Sequence, residues 1–427
     1  MPSADLLASD IDASLVHAAI APASTLLADR RALYRLAADL LGADVEEAEL
    51  PDDLLDSPLV RFRIGEALAG RRSFSRADLA PAVAAMEKEH EVRHGPARLR
   101  VLAGPRAEEL WADALRAIAE PAGIHPPPRP LTEADGARFR SALEIVADGL
   151  KLARQISPTL VDDLLAHVEL LAILDPATTN GLVSASSRFF PGLVVIDLPA
   201  TPLEVAEALV HEGAHEKFFD LATTHSFLGV GAEPTNPFQP SWSTARFPFE
   251  QAMAAWHAYT CLAQFALDAG VSTSARPTHA GSLLPVARER SAEIGSWLLA
   301  NENYLLPDAR WMLRSLLGAT AVAPVEVPLA TMPDGLYALD PRVRMARPGE
   351  AGRMLAAREG APPELYWLDG DAADVLGLLT LDARSTEQLA AELAERWDTD
   401  RRAAELRLSP ALDVLAHSLL TVRVPHR

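Results

Sequence analysis

Two histidines and a glutamate in the segment LVHEGAHEKFF have the His-Glu-x-x-His (HExxH) spacing of a metal-binding motif. His211 and His215 lie four residues apart, so on a helix both imidazoles project from one face toward a single ion. Glu212 then lies beside that ion, where a carboxylate serves as the general base of metal-dependent hydrolysis. The spacing predicts a bound divalent metal and a catalytic position for Glu212.

The residues before the motif predict the helix that has to carry it. Thr201 is the expected N-cap, Pro202 is the expected first helical residue, and Glu204 completes a capping box. An apolar stripe follows, made up of Leu203, Ala206, Leu209 and Val210. We expect a buried helix with both histidines on one face.

A second copy of the motif occurs at His90, Glu91 and His94. It is flanked by charged residues, and Gly95 and Pro96 follow directly, where a helix stops. We interpret this copy as a solvated helix end that binds no metal.

A long helical pattern downstream, residues 249–270, offers a third metal ligand. Glu250, His257 and Cys261 fall on one face of it. A histidine or a carboxylate suits a metal at this separation from His215, so His257 and Glu250 are both candidates. Cys261 is expected to be a small buried side chain.

Composition limits the classes of partner and compartment. The chain has 427 residues, a formal net charge of −20 and one cysteine. Its acidity argues against nucleic acid and anionic membranes as partners, and no apolar run approaches membrane-spanning length. The acidic N-terminus differs from a signal peptide and the lone cysteine suits a reducing compartment, so we expect a cytoplasmic protein.

The periodicities predict a mainly α (α+β) protein with three regions. Residues 1–130 are expected to be a helical N-terminal region that ends at the proline-rich segment HPPPRP. Residues 131–322 form the HExxH metal-binding domain, in which helical periodicity covers ARFRSALEIVADGLKLARQI and VDDLLAHVELLAIL. Residues 323–427 form a C-terminal module after a linker-like run, APVEVPLATMPDG.

Strands are predicted directly before the motif helix. Val183 and the run from Leu193 to Ile196 are β-prone, and glycine and proline punctuate them. One interpretation is an edge strand that pairs with an extended peptide beside the metal. The other is an ordinary antiparallel pair, and the sequence leaves both open.

The C-terminal module has the pattern of a small winged helix-turn-helix. Strand-like segments VRMARP, GRMLAA and ELYWLD come first, and GDAADVLGLLT follows them. STEQLAAELAERW then has Ser385 as its N-cap. A last helix is expected to start at Ser409 and Pro410, and TVRV closes the chain as a strand.

Residues of about 140–320 resemble the HExxH-motif domain of enzymes that modify ribosomally made precursor peptides. The shared features are a serine-containing strand, the HExxH helix, and a Trp- and Arg-containing loop before a helix with a further histidine. The family includes 2-oxoglutarate-dependent peptide β-hydroxylases. The resemblance implies a helical metalloenzyme domain with a small zincin-like sheet, Fe(II), 2-oxoglutarate and O₂, with His257 as the further histidine and Arg246 as a co-substrate-binding residue.

The C-terminal module from ELYWLDGDAADV onward resembles the PqqD-like recognition element that binds leader peptides in the same pathways. In that family the leader adds as a strand to the three-stranded sheet and lies against the third helix. The resemblance implies that the partner of this chain is a precursor peptide with a leader.

Two reaction classes follow from these features. The family resemblance favours β-hydroxylation of a precursor peptide by Fe(II), 2-oxoglutarate and O₂. The motif by itself favours a zinc peptidase in which Glu212 activates a metal-bound water. A purely structural zinc site usually has four protein ligands and is rich in cysteine, which a chain with one cysteine does not match.

Overall fold

A computed structural model describes residues 12–41, 50–86, 89–120, 123–225, 227–228, 237–270, 281–317, 335–346, 354–358, 364–368, 370–417 and 420–424. The protein is mainly helical, with 61% helix, 13% strand and small sheets. This confirms the predicted mainly α class. Of the predicted linker at residues 323–335, all but Gly335 lies outside the described residues.

The chain divides into two compact units. One consists of Ala23–Tyr304, and the other joins Met1–Pro22 to Leu305–Arg427. The first unit contains the HExxH segment and the second contains the C-terminal module. The sequence predicts three regions with boundaries near residues 130 and 322, which differ from the boundaries of these two units. Those three regions stay predictions.

We number helices and strands in chain order. The helices of the first unit are α2 (Ala23–Leu40), α3 (Asp52–Asp56), α4 (Pro58–Leu68), α5 (Leu79–Met86), α6 (Ala107–Leu110), α7 (Ala112–Ala119), α8 (Ala137–Ile156), α9 (Pro158–Leu165), α10 (Pro176–Thr179), α11 (Pro202–Thr224), α12 (Phe249–Asp268) and α13 (Ala287–Ala300). Its strands are β1 (Glu89–His94), β2 (Ala97–Leu102), β3 (Leu170–Leu174), β4 (Ser184–Ser186) and β5 (Leu193–Asp197).

The five strands form one mixed sheet in the order β1-β2-β3-β5-β4. The central pairs β2/β3 and β3/β5 are parallel, and the outer pairs β1/β2 and β4/β5 are antiparallel. The predicted strands before the motif helix are therefore confirmed, with β4 at an edge. The run LLAIL was expected to continue a helix but forms β3, a fully buried strand, which accounts for its unbroken apolar sequence.

The second HExxH copy lies in a strand rather than at a helix end. His90 and His94 belong to β1, which pairs with β2 across the tight turn at Gly95. Residues four apart in a strand are about 13 Å apart along its axis, so these histidines cannot share one ion. The helical interpretation was wrong, and the N-terminal region is accordingly not all helical.

Helix α11 carries the first HExxH motif and begins where the sequence predicted. The Thr201 hydroxyl accepts a hydrogen bond from the Glu204 amide at 3.3 Å, and Pro202 is the first helical residue. The Glu204 carboxylate accepts from the Ala200 amide at 2.8 Å, one residue earlier than a strict capping box requires. Capping and the buried apolar residues of its first turns fix the start of this helix.

The sheet and a close contact with helix α8 hold α11 in place. Alternate residues of the central strands pack with Val60, Ile64 and Trp111 on one face of the sheet. Helix α11 packs against β4 and β5, on the other face. It also meets α8 where Gly149 allows close approach, because a Cβ on Gly149 would lie 2.4 Å from the Val205 Cβ.

The second unit contains α1 (Ala13–Ile20), α14 (Pro307–Leu316), α15 (Gly370–Leu376), α16 (Thr386–Arg396) and α17 (Arg401–His417). Its strands are β6 (Leu336–Leu339), β7 (Val343–Ala346), β8 (Met354–Arg358), β9 (Glu364–Leu368), β10 (Arg384–Ser385) and β11 (Thr421–Val424). Strands β7, β8 and β9 form an antiparallel sheet, and β10, β6 and β11 form another. Helix α1 packs against β7, so this unit draws on both ends of the chain.

Most elements predicted for the C-terminal module are present. The three expected strands are β7 to β9, the closing strand is β11, and Ser385 caps α16 with a complete capping box. The last helix, however, begins at Arg401 and contains Pro410. Asp400 caps that helix, and the buried Leu408, Leu412 and Leu415 pack on both sides of the proline, which offsets the hydrogen bond that it removes.

Candidate metal centre

The two motif histidines lie side by side on consecutive turns of α11. Their ring centroids are 4.9 Å apart in an edge-to-face arrangement. The Nδ1 atom of His211 is buried and has no hydrogen-bond partner among the described residues. Burial, and then the neighbouring His211, lower the pKa of His215 to about 4, so this ring is neutral at physiological pH and able to donate a lone pair. The pair fits a divalent metal as two of its ligands.

Glu212 is fixed by two serines of the edge strand. The Ser184 hydroxyl donates to one carboxylate oxygen and the Ser186 hydroxyl to the other, each at 2.7 Å. Residues two apart in a strand project from the same face, so β4 presents both hydroxyls to α11. Glu212 is 3% exposed, and these two bonds hold its carboxylate between helix and sheet.

His257, the expected third ligand, is fully buried on α12. Its Nδ1 donates to the Ala214 carbonyl of α11 at 2.8 Å, which leaves Nε2 as the unprotonated nitrogen, and Nε2 lies 3.9 Å from the Cys261 sulfur. This tautomer suits a metal ligand. As predicted, Cys261 is a small buried side chain.

The alternative third ligand, Glu250, lies at the partly exposed start of α12, where its carboxylate pairs with Arg188. In the described part of the chain, no set of three His, Cys, Asp or Glu side chains with ligand atoms within 4.8 Å of one another includes both His211 and His215. The structure thus brings two predicted ligands together, and the choice of His257 or Glu250 as the third stays a prediction.

An aromatic wall with one arginine lies beside His211. The Tyr259 ring of α12 meets the His211 ring edge-on, with centroids 5.7 Å apart. Trp242 lies 6.1 Å from Tyr259 between ring centroids, and the Arg290 guanidinium covers both rings. Arg246, the residue expected to bind the co-substrate, is an exposed member of the loop that carries Trp242.

A buried polar network supports the opposite face of α11. Asp220 accepts from Arg30 of α2 at 2.5 Å and from His167 at 2.6 Å. Burial would raise the pKa of Asp220, but the charge of Arg30 and the hydrogen bond from His167 lower it to about 2, whereas burial lowers the pKa of His167 to about 4. One turn earlier, burial raises the pKa of Glu216, which accepts from the Gly192 amide at 2.5 Å.

Sequence reasoning found the histidines but missed most of their surroundings. The alternation Ser184, Ala185, Ser186 is a signal for two hydroxyls on one strand face, and it was available in the sequence. Nothing in the spacing indicates that Tyr259 and Arg290 meet beside His211, because they come from different helices. His167 lies just after the end of α9 and is fully buried, and its contact with Asp220 of α11 follows from no local pattern in the sequence.

Comparison with known proteins identifies no relative. No protein-family model matches the chain, and no curated protein matches its sequence. Within the described residues, no helix combines the length and apolar character needed to cross a bilayer.

Proposed function

We propose that this protein is an Fe(II)- and 2-oxoglutarate-dependent hydroxylase that acts on a β-carbon of a ribosomally made precursor peptide. The observation that carries the proposal is the pair of neighbouring histidines on α11 with Glu212 held between two serines. It supplies two metal ligands and a fixed carboxylate beside an accessible strand. A bound Fe(II) would supply O₂ activation, for which 2-oxoglutarate and the peptide C–H bond would each give two electrons; one oxygen atom would enter the peptide as a hydroxyl and the other succinate, with loss of CO₂.

In this proposal the residues of the chain bind and position. His211 and His215 would hold the metal, and the third ligand would come from His257 or, alternatively, Glu250. The Nδ1 hydrogen bond of His257 to the Ala214 carbonyl fixes the tautomer that ligation by Nε2 requires.

Glu212 distinguishes the two reaction classes. A hydrolase needs this carboxylate as a base toward water, whereas oxygen activation at iron does not. Both Glu212 oxygens already accept serine hydrogen bonds, which supports a positioning role that ties β4 to the metal helix. The family resemblance points to the same class.

The peptide would add to the free edge of β4. This strand pairs with β5 on one side, and no other described strand pairs with its second side. An extended peptide can satisfy those backbone groups and pass in front of α11, since the β4 serines contact Glu212. A target β-carbon is thereby brought near the histidine pair.

The leader would bind to the C-terminal module. The sheet of β7, β8 and β9 is followed by three helices, α15 to α17, which is the order that the PqqD-like resemblance implies. Such a sheet offers edge strands for strand addition. Precursor addition is expected to slow amide hydrogen exchange in β7 or β9.

A zinc peptidase that acts on a precursor or its leader is the second candidate, because HExxH is the signature of zinc-dependent hydrolysis and Glu212 occupies the position of the base. A single experiment separates the candidates. Anaerobically purified protein is loaded with Fe(II) or with Zn(II), and a leader-bearing precursor is added with or without 2-oxoglutarate and O₂.

The proposal predicts that the Fe(II) sample adds one oxygen atom to the peptide, forms succinate in equal amount and leaves the main chain intact. Mass spectrometry of the peptide and succinate quantification provide the measurement. Peptide cleavage by the Zn(II) sample without O₂ or 2-oxoglutarate, abolished by Glu212→Gln, would establish the peptidase instead.

A further inference from the structure

Arg290 has an unusual environment for an arginine in this acidic protein. It lies in the first turn of α13 and is half-buried. Its guanidinium carbon is 4.9 Å from the centre of the Trp242 ring and 5.4 Å from that of Tyr259. One terminal nitrogen donates to the Tyr259 hydroxyl at 2.8 Å. Aromatic faces and a phenol hold the guanidinium in place, and neither of these described groups neutralises its charge.

The same tyrosine links Arg290 to the histidine pair. The Tyr259 ring centroid is 5.7 Å from that of His211. The distance from the guanidinium carbon to the His211 ring centre therefore cannot exceed the sum of two distances, this one and the 5.4 Å between the guanidinium carbon and the Tyr259 ring centre. This upper limit is comparable with the length of a dicarboxylic acid of a few carbon atoms together with its contacts at both ends.

In the described part of the chain, the charge of Arg290 has no counter-ion. Among the residues that the structure describes, no carboxylate oxygen lies within 4.0 Å of its guanidinium nitrogens. Other arginines of the same unit pair with carboxylates, namely Arg31, Arg35, Arg100, Arg129, Arg138 and Arg154. Because the chain carries a net charge of −20, this absence is not explained by a shortage of acidic residues.

The acidic residue one turn along α13 is committed elsewhere. Glu293 is three residues after Arg290, a spacing at which ion pairs form on a helix. Its two carboxylate oxygens instead accept from the Ser241 amide and the Ser241 hydroxyl, each at 2.7 Å. These bonds anchor the loop that places Trp242 against the guanidinium.

We propose that Arg290, positioned by Tyr259 and Trp242, binds the distal carboxylate of a 2-oxo dicarboxylic acid whose other end occupies the metal centre. This inference rests on the proposed function and names the residue that recognises its co-substrate. The remaining guanidinium N–H groups donate to no described group, and a carboxylate accepts two of them as a fork. Arg246 has neither the aromatic support nor the contact with Tyr259.

The test compares two ligands that differ only in the distal carboxylate. Calorimetry measures Kd for 2-oxoglutarate and for 2-oxopentanoate, with Mn(II)-loaded protein under anaerobic conditions. The wild-type protein is expected to prefer 2-oxoglutarate by about 10- to 100-fold, since hydrogen bonds to a charged group have this magnitude. Arg290→Gln is expected to lose the preference while 2-oxopentanoate binds as before.

Two variants sharpen the outcome. Arg290→Lys keeps the charge without the fork and is expected to retain part of the preference for 2-oxoglutarate. It replaces Arg290→Gln in the comparison if the Gln variant does not fold. A full preference in folded Arg290→Gln, or its loss in Arg246→Gln alone, overturns the inference and leaves the hydroxylase proposal standing. A wild-type protein that does not bind 2-oxoglutarate overturns both.

Discussion

The link between the edge strand and the motif helix permits a quantitative test. Ser184 and Ser186 each donate to a different oxygen of Glu212 at 2.7 Å, and this carboxylate is almost fully buried. A hydrogen bond to a charged group contributes about 1.5–3 kcal/mol to stability. Because both serines are half-buried, water is able to replace part of a lost bond, and the lower end of that range applies.

We therefore expect Ser184→Ala and Ser186→Ala each to lower the free energy of unfolding of this unit by about 1.5 kcal/mol, and the double variant to lower it by about 3 kcal/mol. The two units of the chain need not unfold together. Hydrogen exchange of the β3 amides in increasing urea therefore provides the measurement, since β3 belongs to the unit of residues 23–304.

A neighbouring serine provides a matched control. The Ser187 hydroxyl accepts only an exposed hydrogen bond from the Phe189 amide at 3.3 Å, so Ser187→Ala is expected to change stability by less than about 0.5 kcal/mol. A double-mutant cycle of Ser184→Ala with Glu212→Gln isolates the pair. Zero coupling, or a double serine variant as stable as Ser187→Ala, would refute the clamp between β4 and α11.

Two further predictions concern the metal and the response to acid. His211→Ala is expected to remove most of the bound metal measured by mass spectrometry. Combined replacement of His90 and His94 by alanine is expected to retain it, because these residues lie four apart on one extended strand, β1, and their rings cannot share an ion. Equal metal loss in both variants would contradict the assignment. Burial lowers the pKa of His167 from 6.5 to about 4, while the charge of Arg30 and the hydrogen bond from His167 lower the pKa of Asp220 from 3.8 to about 2 against the effect of burial. Both groups have a lower pKa in the folded than in the unfolded protein, so their contribution to stability is fully present at neutral pH. Stability declines between pH 6.5 and 4, because the histidine gains a proton in the unfolded chain first. It declines again toward pH 2, because the aspartate does the same. Urea midpoints at pH 7 and 5 measure the first decline. His167→Gln is expected to reduce it and to leave the part that comes from His215, whose pKa burial lowers to about 4 as well.

The sequence predicts the parts of the fold that depend on local signals. A threonine N-cap followed by proline defines the start of α11, and Ser385 with its capping box defines the start of α16. These signals act within one turn, so they can be found without tertiary information. Continuous periodicity likewise predicts α8 and α12 to within a few residues.

The wrong predictions concern segments whose structure depends on tertiary partners. His90 and His94 have helical spacing, but pairing of β1 with β2 determines their conformation. The apolar run of β3 fits a buried helix as well as a buried strand, and only its position between two parallel neighbours decides. Pro410 predicts a helix start, yet burial of the leucines on both sides carries α17 through it.

The candidate site likewise combines residues that a local pattern predicts with residues that only tertiary packing brings together. Spacing within one helix identifies His211 and His215, because both belong to the same regular element. Tyr259 and Arg290 come from α12 and α13 and Trp242 from the loop before α12, so tertiary packing alone brings the three together. Residues that recognise a ligand from several elements leave no periodic signal in the sequence.

The polar residues of α11 have a common explanation in the positioning of its histidines. Lys217 pairs with Asp163 of α9 and Asp220 with Arg30 of α2, and both pairs are largely buried. Buried ion pairs add little net stability compared with apolar packing, but they require one geometry, so they fix the rotation and the axial position of a helix. Glu212 provides the third attachment, to β4. Attached on three sides, α11 directs its histidine pair toward one region before any ligand binds, which is the preorganisation that a metal-dependent site requires.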